Sequence, residues 1–175
     1  MTIRLVPLSP AVLQGLLDGD LVTARSLAGV ALTDWFISDD LTWLWRMRLD
    51  QIAGDPSADG WVANAAILDD GTVVGTGAFH GPPDADGRVE LSYGVDPAHR
   101  RRGYARAMVR ELLARAAAEP SVHLVRASIS PGNTASLATI AGYGFTRVGE
   151  QWDEVDGLEH LFERAADGTV LSAYP

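Results

Sequence analysis

Cysteine is absent from this chain. That absence excludes disulfide bonds, zinc–thiolate sites and a cysteine nucleophile. Basic residues are also few: 14 Lys and Arg stand against 23 Asp and Glu, a net charge of −9 at pH 7, which argues against a nucleic-acid-binding protein. No apolar run approaches the roughly 18 residues of a membrane-spanning helix, and the first residues, MTIRLVP, are too short and too polar for a signal peptide. We therefore expect a soluble cytoplasmic protein with no nucleic-acid or membrane partner and no metal.

The length and the apolar content suit one ordinary domain, since 47% of the 175 residues are hydrophobic. The spacing of apolar residues predicts helices in the first third, then three strands joined by turns, a strand–helix–strand unit, another helix and two last strands. This order predicts an α/β fold with a mixed sheet of six or seven strands. We predict one domain over residues 1–164 and a loose tail over residues 165–175. The predicted strands are residues 2–6, 61–68, 72–79, 89–95, 122–129, 145–153 and 158–164.

Residues 89–108 carry the clearest functional pattern. A strand of period two covers residues 89–95, and Pro97 ends it because proline lacks an N–H. Three arginines, Arg100–Arg102, and then Gly103 lead into a helix. The first N–H groups of a helix have no partner inside the helix, and the helix dipole favours negative charge there. A strand, a basic turn and a helix therefore predict an anion site, most naturally for phosphate.

Two segments together resemble a known family. Pro97 followed by Arg100–Ala105 (R-R-R-G-Y-A) is similar to the R/Q-x-x-G-x-G/A signature of the GNAT superfamily of acyl-CoA-dependent N-acyltransferases. Asn133–Ser136 (N-T-A-S), followed by Gly144-Phe145, resembles that family's N-x-x-S segment and its trailing G-F. The pattern is closest to the ribosomal-protein N-terminal acetyltransferase branch. The resemblance implies the GNAT fold, with helices on both faces of the sheet.

The resemblance also implies acetyl-CoA as cosubstrate and assigns residues to it. Loop amides and arginine side chains would hold the pyrophosphate. The strand that precedes the loop would separate from its neighbour, and the Val95 N–H would polarise the thioester carbonyl. Asn133 has two interpretations, as a helix cap and as a ligand of the coenzyme A arm. The residues assigned to coenzyme A are Val95, Arg100, Arg101, Arg102, Gly103, Tyr104, Ala105 and Asn133.

Acyl transfer to an amine requires a proton acceptor, because an alkylammonium has a pKa near ~10.4. Glu90 is one candidate, since a carboxylate on a central strand needs a reason. His80, at the end of the preceding strand, is the other candidate, because a histidine needs no pKa shift to act near neutral pH. Many relatives protonate the leaving thiolate with a tyrosine eight residues after the asparagine, where this chain has Ala141. The resemblance then assigns that role to Ser136; the alternatives are that solvent supplies the proton and that Ser136 only fills a small gap in the helix.

The sequence predicts an N-acetyltransferase that moves an acetyl group to a primary amine by direct attack in a ternary complex. The acceptor is a small molecule or a peptide N-terminus. Two alternatives stay open, an acyl-CoA-binding module without turnover and a transferase for another acyl-CoA or another acceptor, such as a polyamine or an antibiotic. Trp35, Trp43 and Trp45 line an apolar acceptor pocket or belong to the core. An exposed edge strand favours a homodimer.

Overall fold

The computed structural model describes residues 1–169, which form seven strands and five helices. The strands are β1 (Ile3–Pro7), β2 (Asn64–Leu68), β3 (Val73–Phe79), β4 (Arg88–Val95), β5 (Leu124–Ile129), β6 (Thr146–Asp153) and β7 (Gly157–Ala165). The helices are α1 (Pro10–Leu17), α2 (Leu21–Ala28), α3 (Asp39–Gly54), α4 (Tyr104–Ala118) and α5 (Thr134–Ile140).

All seven strands form one mixed sheet in the order β1-β2-β3-β4-β5-β7-β6. Neighbouring strands are antiparallel except β4 and β5, which are parallel because α4 crosses over between them. The predicted three-strand meander is β2, β3 and β4, and the predicted strand–helix–strand unit is β4, α4 and β5. The α/β fold class with a mixed sheet is therefore confirmed.

Local sequence signals explain where the first helices begin. Ser9 caps α1, accepting a hydrogen bond from the Val12 N–H, and Pro10 occupies the first helical position. Asp20 caps α2 through the Thr23 N–H at 3.0 Å. These ends depend only on neighbouring residues, which is why the sequence predicts them well.

One predicted strand boundary is wrong. The strand expected over residues 61–68 begins at Asn64, because residues 59–62 form a turn in which Gly60 has φ 79°. Trp61 nevertheless contributes to the sheet's packing, since its carbonyl accepts a hydrogen bond from the Phe79 N–H and its ring lies 5.5 Å from the Phe79 ring. A short apolar run is buried in either conformation, so its composition does not distinguish a turn from a strand.

Each face of the sheet has its own core. One face packs against α4 and the other packs against α1, α2 and α3. Trp45 of α3 is fully buried in the second core, stacks on Phe36 at 5.7 Å and donates from Nε1 to the Phe36 carbonyl at 2.7 Å. Trp43, two residues earlier, is 58% exposed. Trp45 is therefore a core residue, and Trp43 belongs to the surface.

Strands β1 and β6 form the two edges of the sheet, and β6 is largely exposed. An exposed edge is compatible with the expected homodimer, which stays a prediction. At the C-terminal end, Ala166 is buried and its N–H donates to the His123 carbonyl, so the chain stays packed just beyond β7. The rest of the predicted tail, residues 170–175, lies outside the described residues. Within residues 1–169, no helix is long and apolar enough to cross a membrane.

Replacing Trp45 with alanine should lower the free energy of unfolding by about 3–5 kcal/mol, because it leaves a cavity and removes the partner of the Phe36 ring. The matched change Trp43→Ala should alter it by less than about 0.5 kcal/mol, since that side chain is mainly solvated. Urea unfolding followed by far-UV circular dichroism measures both. Equal losses from the two variants would contradict this assignment of the two tryptophans.

Candidate functional site

The central strands β4 and β5 separate partway along the sheet. Their pairing covers only three positions, the last of which sets Glu90 opposite Arg126. Beyond it β4 stays paired with β3 as far as Val95, and β5 stays paired with β7 as far as Ile129. The segments 91–95 and 127–129 therefore face each other across an unpaired split in the middle of the sheet.

The backbone of β4 directs hydrogen-bonding groups into this split. The Glu90 carbonyl accepts from the His80 N–H, and the Asp96 N–H donates to the Val74 carbonyl. The backbone groups of the even-numbered residues of β4 therefore form the hydrogen bonds to β3. Alternate residues of a strand point their amides to opposite neighbours. The amides of Tyr93 and Val95 therefore point towards β5, which does not pair with them there.

The loop after β4 is built to leave the start of α4 open. The Asp96 carboxylate is buried, accepts from the Ala98 N–H at 2.9 Å and accepts from the Thr33 hydroxyl at 2.6 Å. The chain then turns twice through left-handed backbone, at Arg101 (φ 61°) and at Gly103 (φ 82°). Gly103 occupies the cap position of α4, which has no side-chain cap. The first amides of a 15-residue helix are thus unsatisfied, which makes an anion site.

A cavity of about 590 Å³ lies between this loop, the end of β4 and helix α5. Arg100 and Arg101 line it, and Arg100 is held there because its Nε donates to the Val95 carbonyl at 3.3 Å. Two cations beside open helix amides give this cavity a positive end. Its lining residues are Trp35, Tyr93, Gly94, Val95, Arg100, Arg101, Gly103, Tyr104, Ala105, Arg106, Ala135, Ser136 and Thr139.

A second cavity, of about 210 Å³, lies in the split itself and shares Tyr93 and Ser136 with the first. Within the described part of the chain, the Tyr93 hydroxyl and the Ser128 Oγ are buried there without a hydrogen-bond partner. Burial raises the pKa of Tyr93, and the nearby hydroxyls of Ser136 and Thr139 oppose that shift without forming hydrogen bonds of ordinary geometry. Two orphaned hydroxyls, one from each strand, indicate a polar ligand in the split.

Asn133 caps α5, because its Oδ1 accepts from the Ser136 N–H at 3.0 Å. It lines the second cavity rather than the first. The cap uses only the amide oxygen, so the NH₂ group is left to donate elsewhere. The two interpretations of Asn133 are therefore compatible in one side chain.

Glu90 and His80 lie together on the face of the sheet that carries α3. Their closest atoms, His80 Nδ1 and Glu90 Oε1, are 3.7 Å apart. Arg48 of α3 is 4% exposed, and its Nη1 donates to the His80 carbonyl at 3.3 Å. Desolvation lowers the pKa of His80 while Glu90 opposes that shift, and solvent screens both effects because 52% of the side chain is exposed. The net lowering of the pKa of His80 favours the neutral imidazole.

The structure brings most of the predicted site residues together, with two exceptions. The first cavity is lined by Val95, by Ser136 and by every residue of the loop 100–105 except Arg102. Arg102 follows the left-handed turn at Arg101 and is exposed, lining neither cavity. Glu90 lines neither cavity either, and five residues of strand separate it from Val95, which corresponds to about 16 Å.

Sequence reasoning missed several residues of the cavities. The sequence predicts Tyr93 only as a strand residue, although its backbone amide points to the same side of β4 as that of Val95. Arg106 has no predicted role in the sequence, and it is an exposed residue that lines the first cavity. Trp35 is the one tryptophan of the three considered that reaches the site, where its Cη2 would lie 3.3 Å from a Cβ added at Gly94. Glu159 had no local signal, because strand pairing alone brings it to the second cavity.

Comparisons with known proteins agree with this geometry. A family model described as an acetyltransferase (GNAT) domain matches residues 3–146. The uncharacterized N-acetyltransferase YjdG of Bacillus subtilis (strain 168) is 28% identical over 92 residues, which are 53% of this chain and 54% of that protein. The match thus spans about half the length of that curated relative.

Solved structures show the same fold at low identity. A spermidine N-acetyltransferase from Vibrio cholerae, in complex with CoA and spermine, has a TM-score of 0.66 at 13% identity, covering 95% of this chain and 97% of its own. A complex of AAC(6')-Ib with paromomycin and acetyl-CoA has a TM-score of 0.66 at 15% identity, covering 96% of both chains.

The cap at Asn133 can be tested separately from any ligand. Asn133→Ala should lower the free energy of unfolding by about 1 kcal/mol, because the Ser136 N–H loses its acceptor. Asn133→Asp keeps an acceptor at the same place and should stay close to the wild type. Thermal and urea unfolding of the two variants measure the difference. A loss of the same size in both variants would show that the cap is not what Asn133 contributes.

Proposed function

Because the chain belongs to the GNAT acetyltransferase family, we propose that it transfers an acetyl group from acetyl-CoA to a primary amine by direct attack in a ternary complex. The observation that carries this proposal is the split between β4 and β5, with the uncapped start of α4 beside it. We also propose that one domain, predicted over residues 1–164, performs the reaction.

The residues of the first cavity fit coenzyme A. The pyrophosphate needs N–H donors and positive charge, which the first amides of α4 and the side chains of Arg100 and Arg101 supply. The absence of a side chain at Gly103 leaves open space over the helix start, where a Cβ would have no neighbour within 4 Å. Asn133 lines the second cavity, and we propose that its amide NH₂ donates to the part of the coenzyme's arm that reaches the split.

The split fits the thioester. The Val95 N–H is a fixed donor that points into the split, so it would stabilise negative charge as it develops on the carbonyl oxygen. The amine nitrogen forms a bond to the carbonyl carbon while the carbon–sulfur bond breaks. The amine loses one proton and the thiolate gains one, so no covalent enzyme intermediate is needed. Ser136, which lines both cavities, is the proposed donor to the thiolate.

Glu90 is the proposed final proton acceptor, with His80 beside it as the alternative. The distance of about 16 Å along the strand rules out direct contact between Glu90 and an amine at Val95. The proton would therefore reach this pair through intervening groups or water. Neutral His80 and the Glu90 carboxylate, 3.7 Å apart, can share it.

The chemical identity of the acceptor is a separate part of the proposal. The sequence pattern resembles the ribosomal-protein N-terminal acetyltransferase branch, and the acceptor proposed from it is a small molecule or a peptide N-terminus. The structural neighbours include complexes with spermine and with paromomycin, which keeps polyamine and antibiotic acceptors as the alternative. The net charge of −9 favours a cationic acceptor in every case.

The experiment is a thiol-release screen with acetyl-CoA, against polyamines, aminoglycosides, amino acids and peptides that include ribosomal-protein N-termini. Calorimetry with coenzyme A accompanies it. Binding together with thiol release for any primary amine supports the proposal. Binding with no release for every amine would favour the acyl-CoA-binding module, and no binding at all would overturn the proposal.

The arginines of the loop should differ in their effect on coenzyme A affinity. Arg100→Gln and Arg101→Gln should each raise the Kd about tenfold at low salt and by less at high salt, because salt screens the attraction to phosphate. Arg102→Gln is the matched control and should have the smallest effect, since this side chain does not line the cavity. Calorimetry at two salt concentrations measures this order. Unchanged affinity in all three variants would show that the loop is not the phosphate site.

Glu90→Gln should lower kcat by about 100-fold, because it removes the proposed proton acceptor. It should also lower the pKa of His80 further, since the Glu90 charge opposes the shift that desolvation causes. Steady-state kinetics and an NMR titration of the His80 ring measure the two effects. Glu111→Gln, a change on α4 outside both cavities, is the control. A wild-type kcat in Glu90→Gln would remove Glu90 from the mechanism.

A further inference from the structure

Glu159 of β7 is a buried carboxylate without a cationic partner. It is 9% exposed, and its Oε2 accepts from the Gln151 amide at 2.9 Å. Among residues 1–169, no Lys, Arg or His nitrogen lies within 4.0 Å of it. Glu163 differs, because Arg88 and Arg126 lie 3.0 and 2.6 Å from its Oε1. Burying a carboxylate without a counter-ion costs free energy. Glu163 has such counter-ions among the described residues and Glu159 does not.

The strand registers place Glu159 level with the reactive end of the split. Glu90 lies opposite Arg126, and Arg126 lies opposite Glu163, so these three residues share one level and one face. Gly94 lies four residues after Glu90 on β4, and Glu159 lies four residues before Glu163 on β7. Because side chains alternate between the two faces of a strand, both positions lie on that same face. Glu159 is therefore level with Gly94, the neighbour of Val95, and lies across the split from it, whereas Glu90 lies four residues further down its strand.

The second cavity joins Glu159 to the split. Glu159 lines it together with Ser92, Tyr93, Ser128 and Ser136. The cavity therefore carries the buried carboxylate of Glu159, the exposed carboxylate of Asp156 and the orphaned hydroxyls of Tyr93 and Ser128. An alkylammonium ion supplies what this arrangement lacks, namely a positive charge and up to three N–H donors.

We propose that Glu159 binds the acceptor's alkylammonium group in the split and takes its proton. The step rests on the proposed acetyl transfer. A proton moves from the ammonium nitrogen to a Glu159 oxygen, and the freed lone pair attacks the thioester carbonyl carbon as the carbon–sulfur bond breaks. The proton then leaves through His80 and Glu90, and the charge of Glu159 is close enough to His80 to raise its pKa. The substrate class is a primary amine that is protonated at neutral pH.

The test compares two probe amines in the wild type and in Glu159→Gln. n-Butylamine is an alkylammonium at neutral pH, whereas O-methylhydroxylamine is already neutral and needs no proton acceptor before attack. We expect kcat/KM to fall about 100-fold for n-butylamine and by less than about threefold for O-methylhydroxylamine. The affinity for coenzyme A should be unchanged. Equal losses for both amines, or no loss for either, would overturn the assignment.

Two further variants and one binding measurement separate this role from a structural one. Glu159→Asp keeps the charge and should recover part of the activity with n-butylamine. Glu150→Gln, an exposed change on the adjacent strand β6, should have no effect. NMR titration should show weaker n-butylammonium binding to Glu159→Gln than to the wild type, with and without coenzyme A. Equal binding would overturn the assignment even without turnover, whereas failure to bind coenzyme A would overturn only the proposed function.

Discussion

The end of β4–β5 pairing after Glu90 and Arg126 is the constraint on which the site depends. Backbone amides inside a sheet normally find partners in the next strand, and leaving them unpaired is costly. Here the amides of Tyr93 and Val95 point towards a strand that does not pair with them. The uncapped start of α4 adds further unpaired donors a few residues along the chain. The protein thus leaves a row of backbone donors for a ligand that offers a carbonyl at one end and phosphates at the other.

The two faces of the sheet differ in charge where the split opens. On the α4 and α5 side, Arg100 and Arg101 lie beside the open helix amides. The opposite face carries Glu90, His80 and Glu159. An anionic donor and a cationic acceptor would therefore approach from different sides and meet in the split. In the proposed reaction the sheet would keep the two ligands apart until the reacting atoms face each other.

The parts predicted from sequence are those that depend on neighbours along the chain. The strand–loop–helix unit around Gly103, the caps and the order of strands follow from periodicity and turn chemistry, and the structure reproduces them. The exposed position of Arg102 depends on the left-handed turn at Arg101, which no pattern signals because arginine rarely adopts it. The place of Glu159 depends on the register between β5 and β7. This register pairs residues between 31 and 41 positions apart in the chain, whereas the period-two pattern gives only the face on which each side chain lies.

The contrast between Glu163 and Glu159 shows how that register determines the partners of a carboxylate. Both carboxylates lie on the same face of β7, four residues apart. Opposite Glu163, β5 supplies Arg126, and the ion pair makes that carboxylate part of the scaffold. Opposite Glu159, the chain continues from β5 with Ser130, which brings no charge. The identity of the facing residue, rather than of the glutamate itself, therefore decides which carboxylate forms an ion pair within the scaffold and which one could take the cationic ligand proposed above.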